Sequence, residues 1–169
     1  AERGAPGDHF PLSMVVTLTA KGPKAIGSTQ GMQHTATTSP YYAPWVSHSP
    51  ALFDEVKRGV LERDFERLGT AMEQSALMMH ASMLAASPAV IYLTPTTLAV
   101  MAAVRELRAR GTPAFYTMDA GPHVKVLTLP EHAARVTACV EGVPGVERTI
   151  VTGAGPDAAL TDEDPRSLP

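Results

Sequence analysis

The stretch FYTMDAGPHVKVL, residues 115–127, carries the strongest fold signal in the sequence. Its first residues are mostly apolar and β-prone, and they end at an acid, Asp119. Ala-Gly-Pro follows, which is typical of a tight turn, and a second alternating run comes directly after it. The pattern predicts two adjacent strands, at 114–118 and 123–128, joined by a turn that opens with a carboxylate.

The composition indicates one compact domain. The chain has 169 residues, of which 44% are hydrophobic, enough for a substantial core. The net charge of −3 and the lack of a basic stretch argue against a nucleic-acid-binding protein. A long uncharged stretch at 81–104 contains prolines and polar residues, so we expect no membrane span. The single cysteine, Cys139, excludes an internal disulfide and indicates a reducing compartment.

The two ends of the chain differ in character from its middle. The sequence begins AERGAPGDHF, without an initiator Met, a basic leader region or an apolar region, so we expect no signal peptide. We interpret residues 1–10 as a linker from a longer chain and residues 11–156 as one domain. The polar residues 157–169 are interpreted as a frayed tail.

Periodicity and helix-start signals predict further elements before the two strands. A strand is expected within 11–20, and a helix starts in the Gly- and Ser-rich segment after it, with Ser28 or Thr29 as its cap. Helical patterning at 41–64 is interrupted by prolines, and Pro50 suits the first turn of a helix.

The longest helix is predicted at 64–87. Mostly apolar residues recur on one face and then widen to cover its second half, which we expect to be buried on most sides. These residues are Leu68, Met72, Ser75, Met79, Met83, Leu77, Met78 and Leu84.

The remaining elements complete an α+β pattern. We predict a helix from about Pro95 to Arg110, closed by Gly111, a helix at 130–140 and a last strand at 146–153. This order predicts an α+β domain with a mostly antiparallel sheet and helices on one face. A split-βαβ, ferredoxin-like arrangement fits the same order.

Asp119 is the first candidate for chemistry. Side chains alternate along a strand, so Phe115, Thr117 and Asp119 share one face. An acid at the end of an apolar strand can lie at a cleft mouth and accept a proton from a substrate hydroxyl. Ala120 and Gly121 would let a ligand approach the backbone. From the residues alone, an ordinary turn is the simpler interpretation.

Two loops and the histidines carry weaker signals. The segment GSTQGMQ, 27–33, has small residues and hydroxyls that are compatible with an anion site, although plain helix capping is simpler. GAGP at 153–156 is neither a phosphate-binding loop nor a dinucleotide fingerprint. The histidines show no metal-ligand spacing, so no metal site is predicted, and His80 is interpreted as a core residue.

Several motifs together resemble one family, the mevalonate diphosphate decarboxylases. YTMDAGPHVKVL resembles their Asp-Ala-Gly-Pro signature, and STQGMQ followed by TSPYY resembles their Ser-Thr-Gln-Gly-Met segment. RDFERLG and MHASMLAASPAVIYL resemble the family's long helix, and TIVTGAGP resembles its closing strand. The motifs appear in family order and cover residues 11–156.

This resemblance implies a reaction and its partners. The family belongs to a superfamily with galactokinase, homoserine kinase and mevalonate kinase. Its members use ATP and Mg²⁺ to phosphorylate the 3-hydroxyl of mevalonate 5-diphosphate, after which phosphate and carbon dioxide leave and isopentenyl diphosphate forms. The resemblance also implies a cytoplasmic enzyme, an N-terminal half that supplies most ATP and Mg²⁺ contacts, and a homodimer in many members.

The resemblance assigns roles to matching positions. Asp119 matches the aspartate that orients or deprotonates the substrate hydroxyl. Ser28 and Thr29 match a hydroxyl pair near the substrate, and Ala120 and Gly121 match the backbone beside it. No metal ligand is implied in this half. Because the family's ATP-phosphate loop is not matched in this sequence, we expect the isolated chain to be inactive.

One departure and two alternatives accompany the resemblance. His123 stands where the family has Asn, which alters the hydrogen bonding that the resemblance implies. A sister enzyme that decarboxylates mevalonate 5-phosphate, or only phosphorylates the 3-hydroxyl of mevalonate, is the nearest alternative. The other is a non-catalytic binding or assembly module, although the intact turn at Asp119 favours the decarboxylase.

Overall fold

The computed structural model describes residues 5–19 and 26–155. Strands and helices follow one another along these residues in the order that the sequence predicts. They are β1 (Ser13–Leu18), α1 (Ser28–Thr38), α2 (Tyr42–Glu62), α3 (Phe65–Leu84), α4 (Pro95–Ala109), β2 (Ala114–Thr117), β3 (Lys125–Thr128), a 3-10 turn (Pro130–His132), α5 (Ala133–Glu141) and β4 (Arg148–Gly153).

The strands form one antiparallel sheet in the order β2-β3-β1-β4. The inner strands are β3 and β1, and the edge strands are β2 and β4. This is the strand order of a ferredoxin-like split-βαβ arrangement, in which α1–α4 form the first crossing and α5 the second. The predicted α+β class and the antiparallel sheet are confirmed.

The main core lies between one face of the sheet and helices α4 and α5. Fully or almost fully buried side chains interdigitate there from both layers. They include Val15, Tyr116 and Val126 from the sheet, Val100 and Val104 from α4, and Val136 and Val140 from α5. The other face of β2 contacts α3, where the ring of Phe115 packs against Gly69 and Phe65.

Gly111 closes α4 as predicted, whereas three other helix predictions depart from the structure. Asp64 caps α3 by accepting from the Arg67 N–H, and Gly111 adopts a left-handed φ of 87° after α4. The cap of α1, however, is Gly27, so the prediction of Ser28 or Thr29 as cap is wrong. Ser28 is instead the first helical residue.

The other two departures concern α2 and α3. Helix α2 runs through Pro50 without a break, so the predicted helix start there is wrong; Ser49 donates its hydroxyl to the Trp45 carbonyl one turn earlier. The second half of α3 is less buried than predicted, since Leu77 and Leu84 are exposed. In the described residues, no helix is long and apolar enough to cross a membrane.

A partly buried ion pair closes the outer edge of β2. Arg108 on α4 forms two parallel hydrogen bonds to Glu73 on α3, of 2.9 and 3.1 Å. Arg108 also donates to the Ala114 carbonyl at 2.8 Å, and the Tyr116 N–H donates to Glu73 at 3.3 Å. The two side chains therefore bond the backbone groups that a further strand would bond. They also tie α3, α4 and β2 to one another.

Replacement of Glu73 by Gln should lower the free energy of unfolding by about 2 kcal/mol, because Arg108 would keep its charge without a counterion. Arg108 and Glu73 are only 26% and 13% exposed, so water replaces little of the lost contact. Denaturant unfolding of the chain measures the effect. As a matched control, Glu106→Gln breaks an exposed pair with Arg110 and should cost at most about 0.5 kcal/mol. Equal losses in the two variants would contradict the role of the pair.

Candidate functional site

Asp119 lies two residues beyond β2, at the start of a tight turn. Its backbone carbonyl accepts a 2.7 Å hydrogen bond from the Gly121 N–H, which closes the turn around Ala120. Its side chain is 84% exposed. The sequence left open an ordinary turn or a carboxylate at a cleft mouth; in the structure Asp119 begins a tight turn and also lines a cleft.

A cleft of about 460 Å³ runs between α2 and α3 and reaches Asp119. Aromatic, methionine and other apolar side chains form most of its wall, including Trp45, Phe53, Met72, Met79 and Met118. The carboxylate therefore lies at the boundary between an apolar wall and solvent, where a ligand can reach it from outside.

Lys125 is the charged neighbour of Asp119. It is the first residue of β3 and pairs in register with Thr117, and its ammonium forms an ion pair with the Asp119 carboxylate. Alternation alone does not reveal the register between two strands, so this partner was not predicted.

Residues from α4 and from the position just after β1 hold the turn by hydrogen bonds. The Pro122 carbonyl accepts hydrogen bonds from the hydroxyls of Thr97, at 2.8 Å, and Thr19, at 3.0 Å. His123 Nδ1 accepts from the Thr19 N–H at 3.2 Å. Thr97 also belongs to the capping box of α4 with Thr94. Sequence reasoning missed these anchors because they come from distant parts of the chain.

Tyr92 connects the turn to the start of α1. Its ring packs in a small apolar cluster with Ala120 and Met83, and its hydroxyl donates to the carbonyls of Ile26 and Gly27, at 3.2 and 3.3 Å. A Cβ at Gly31 would lie 2.6 Å from this hydroxyl, so a glycine is required for the close approach. The sequence assigned Tyr92 no role.

Ser28 and Thr29 are the first two residues of α1, and both are exposed. The first turn of this helix holds no acidic residue, and its cap makes no side-chain hydrogen bond. Through Tyr92, the structure thus brings this helix start and the Asp119–Gly121 turn to one small cluster. The positive end of the α1 dipole is compatible with an anionic ligand beside the two hydroxyls.

His80 lies behind the turn and is almost fully buried. Burial lowers its pKa, while hydrogen bonding to the Asp119 backbone and the charge of the Asp119 carboxylate raise the pKa by less. Its ring contacts the Tyr92 ring edge-on, with 6.5 Å between centroids. Among the described residues, Nε2 has no hydrogen-bond partner. The environment favours a neutral imidazole, in line with the prediction of a core histidine.

Asp119 presents a carboxylate at the cleft, and the start of α1 presents two exposed hydroxyls to solvent. Such a carboxylate suits hydrogen bonding to a substrate hydroxyl or removal of its proton. Across residues 5–19 and 26–155, no three His, Cys, Asp or Glu side chains come together as a metal site.

Comparisons with known sequences and with solved structures indicate the same family. The family model for the mevalonate 5-diphosphate decarboxylase C-terminal domain matches residues 14–158. The diphosphomevalonate decarboxylase of Candida albicans is 30% identical over 179 aligned positions, which cover 94% of this chain and 49% of that protein.

Solved structures agree with the sequence comparison. The mevalonate diphosphate decarboxylase of Staphylococcus aureus superposes with a TM-score of 0.82 at 32% identity, over 89% of this chain and 46% of that one. The complex of MDDEF with MVAPP, AMPPCP and magnesium has a TM-score of 0.82 at 34% identity, over 90% and 47% of the two chains. The chain spans about half the length of these relatives. By sequence and by fold, it belongs to the mevalonate 5-diphosphate decarboxylase C-terminal domain family.

Proposed function

We propose that this chain is the C-terminal half of an ATP-dependent decarboxylase that converts mevalonate 5-diphosphate to isopentenyl diphosphate. The observation that carries the proposal is the position of Asp119, exposed on an anchored turn at the end of a cleft, in a chain of this family. A structural relative bound to MVAPP, AMPPCP and magnesium supports the substrate and the nucleotide.

The chemistry requires a base beside a tertiary hydroxyl. Hydroxide is a poor leaving group, and transfer of a phosphoryl group to the 3-oxygen converts it into a good one. Asp119 orients this hydroxyl and accepts its proton as the oxygen attacks the γ-phosphorus of ATP. Loss of phosphate then builds positive charge on the carbon, and loss of the neighbouring carboxylate as carbon dioxide relieves it.

The other proposed contacts surround the same substrate. Ser28 and Thr29 donate hydroxyl hydrogen bonds to anionic groups of mevalonate 5-diphosphate, helped by the start of α1. Ala120 and Gly121 form the wall next to Asp119, where small residues keep the backbone accessible. The anchors from Thr19 and Thr97 support this assignment because they hold the turn in one position.

The remaining parts of the proposal concern the partner half. We infer that residues 1–10 lead from an N-terminal half and that residues 11–156 form the substrate domain; the predicted tail, 157–169, lies outside the described residues. ATP and Mg²⁺ bind mainly to the N-terminal half, with the metal held mostly by phosphate oxygens. We propose a cytoplasmic enzyme that forms homodimers.

In the complete enzyme, Asp119→Asn should lower kcat for decarboxylation by about 100-fold or more, because the amide cannot accept the hydroxyl proton. The assay supplies Mg-ATP and mevalonate 5-diphosphate to the chain joined to its N-terminal half, and follows ADP and carbon dioxide together. Wild-type enzyme should release both in equal amounts.

The control for this assay is Asp54→Asn, which changes an exposed carboxylate on α2 and should leave both rates unchanged. ADP without carbon dioxide in the wild type would identify a kinase instead. Release of neither product from a folded wild-type enzyme would contradict the proposal and direct attention to mevalonate 5-phosphate or to a binding module.

His123 should supply the same hydrogen-bond acceptor as the asparagine that the family has at this position. Its Nδ1 accepts the Thr19 N–H, and the Oδ1 of asparagine is attached at the same point of its side chain. His123→Asn should therefore preserve the unfolding midpoint and kcat/KM. His123→Ala removes the acceptor and should lower the free energy of unfolding by about 1 kcal/mol. Denaturant unfolding compares the two variants, and an Ala variant as stable as the Asn variant would refute this role.

A further inference from the structure

We propose that Lys125 is a positioning residue for the reaction, and that its ammonium holds the Asp119 carboxylate in its working orientation. This inference rests on the proposed function. The decisive contact is the ion pair between Lys125 Nζ and Asp119 Oδ2, which joins β3 to the turn after β2.

The sheet register brings the two side chains together. Thr117 and Lys125 are directly opposite each other in the β2–β3 pair, so their side chains lie on the same face. Asp119 is two residues further along and extends beyond the strand end. The lysine side chain extends diagonally across the strand pair, from the position opposite Thr117 to the Asp119 carboxylate.

The difference in burial shows which partner orients the other. The Lys125 side chain is 29% exposed, whereas the Asp119 side chain is 84% exposed. Lys125 also projects from a regular strand, while Asp119 projects from a turn. Among the described residues, Lys125 is the cation that forms an ion pair with Asp119. The lysine is thus the better-fixed partner, and the carboxylate takes its orientation from it.

The pair leaves one carboxylate oxygen available. Oδ2 is engaged by the ammonium, so Oδ1 can face the substrate hydroxyl. The lysine charge also offsets the negative charge of Asp119, which would otherwise repel the phosphoryl oxygens that approach the same hydroxyl. An exposed ion pair contributes little to stability, so its loss should affect the reaction far more than the fold.

The first test compares kinetic constants in the complete enzyme. Lys125→Met should lower kcat by about 10-fold, because a misplaced base reacts less often, while KM and the unfolding temperature stay close to wild type. Lys125→Arg keeps a cation and should recover most of the loss. The control, Lys57→Met, removes an exposed lysine from α2 and should change nothing. Wild-type kcat in Lys125→Met would overturn the proposal.

A double-mutant cycle separates positioning from a general structural effect. If Lys125 acts through Asp119, Lys125→Met should cause no further loss of kcat in an Asp119→Asn background. If the two losses multiply, Lys125 acts independently of Asp119 and the proposal is wrong.

A spectroscopic measurement on the chain itself distinguishes this proposal from the proposed function. The ¹³C signal of the Asp119 carboxyl should shift in Lys125→Met and stay in place in Lys57→Met. An unchanged signal would show that the ion pair does not form in solution, which overturns the inference even if the enzyme decarboxylates. An inactive wild type with a shifted signal would instead refute the proposed function and the role in the reaction, and leave the ion pair as a structural contact.

Discussion

The ion pair between Glu73 and Arg108 is the contact on which the rest of the domain depends. β2 is an edge strand, and an unpaired strand edge exposes backbone groups that need partners. Glu73 and Arg108 supply these partners from two different helices, and Arg108 also lies over the Phe115 ring, 4.3 Å from its centroid. One pair therefore fixes the distance between α3, α4 and the strand that leads to Asp119.

A fixed strand does not by itself hold the turn that follows it, and a second group of contacts does so. The hydroxyls of Thr19, just after β1, and of Thr97 on α4 both donate to the Pro122 carbonyl, and Ala120 packs against Tyr92. The backbone of the turn is thus restrained while the Asp119 side chain stays in solvent. A restrained turn backbone suits the role that we propose for Asp119, since the position of a proton acceptor must be defined before the substrate arrives.

The features that are local in sequence were predicted well. The order of strands and helices, the glycine after α4 and the carboxylate at the strand end all follow from periodicity and turn chemistry within a few residues. The start of α1 and the continuity of α2 through Pro50 were predicted wrongly. Both predictions rested on local preferences, which indicate only weakly where a helix begins or breaks.

The residues alone thus determine the α+β pattern, the turn at Asp119 and, through combined motifs, the family. They do not determine which side chains meet. No sequence pattern indicates three contacts around the turn. They join Asp119 to Lys125, His123 to Thr19 and Tyr92 to the start of α1. Strand register and helix packing bring them together, because both depend on burying one shared core and are defined only when the whole chain has folded.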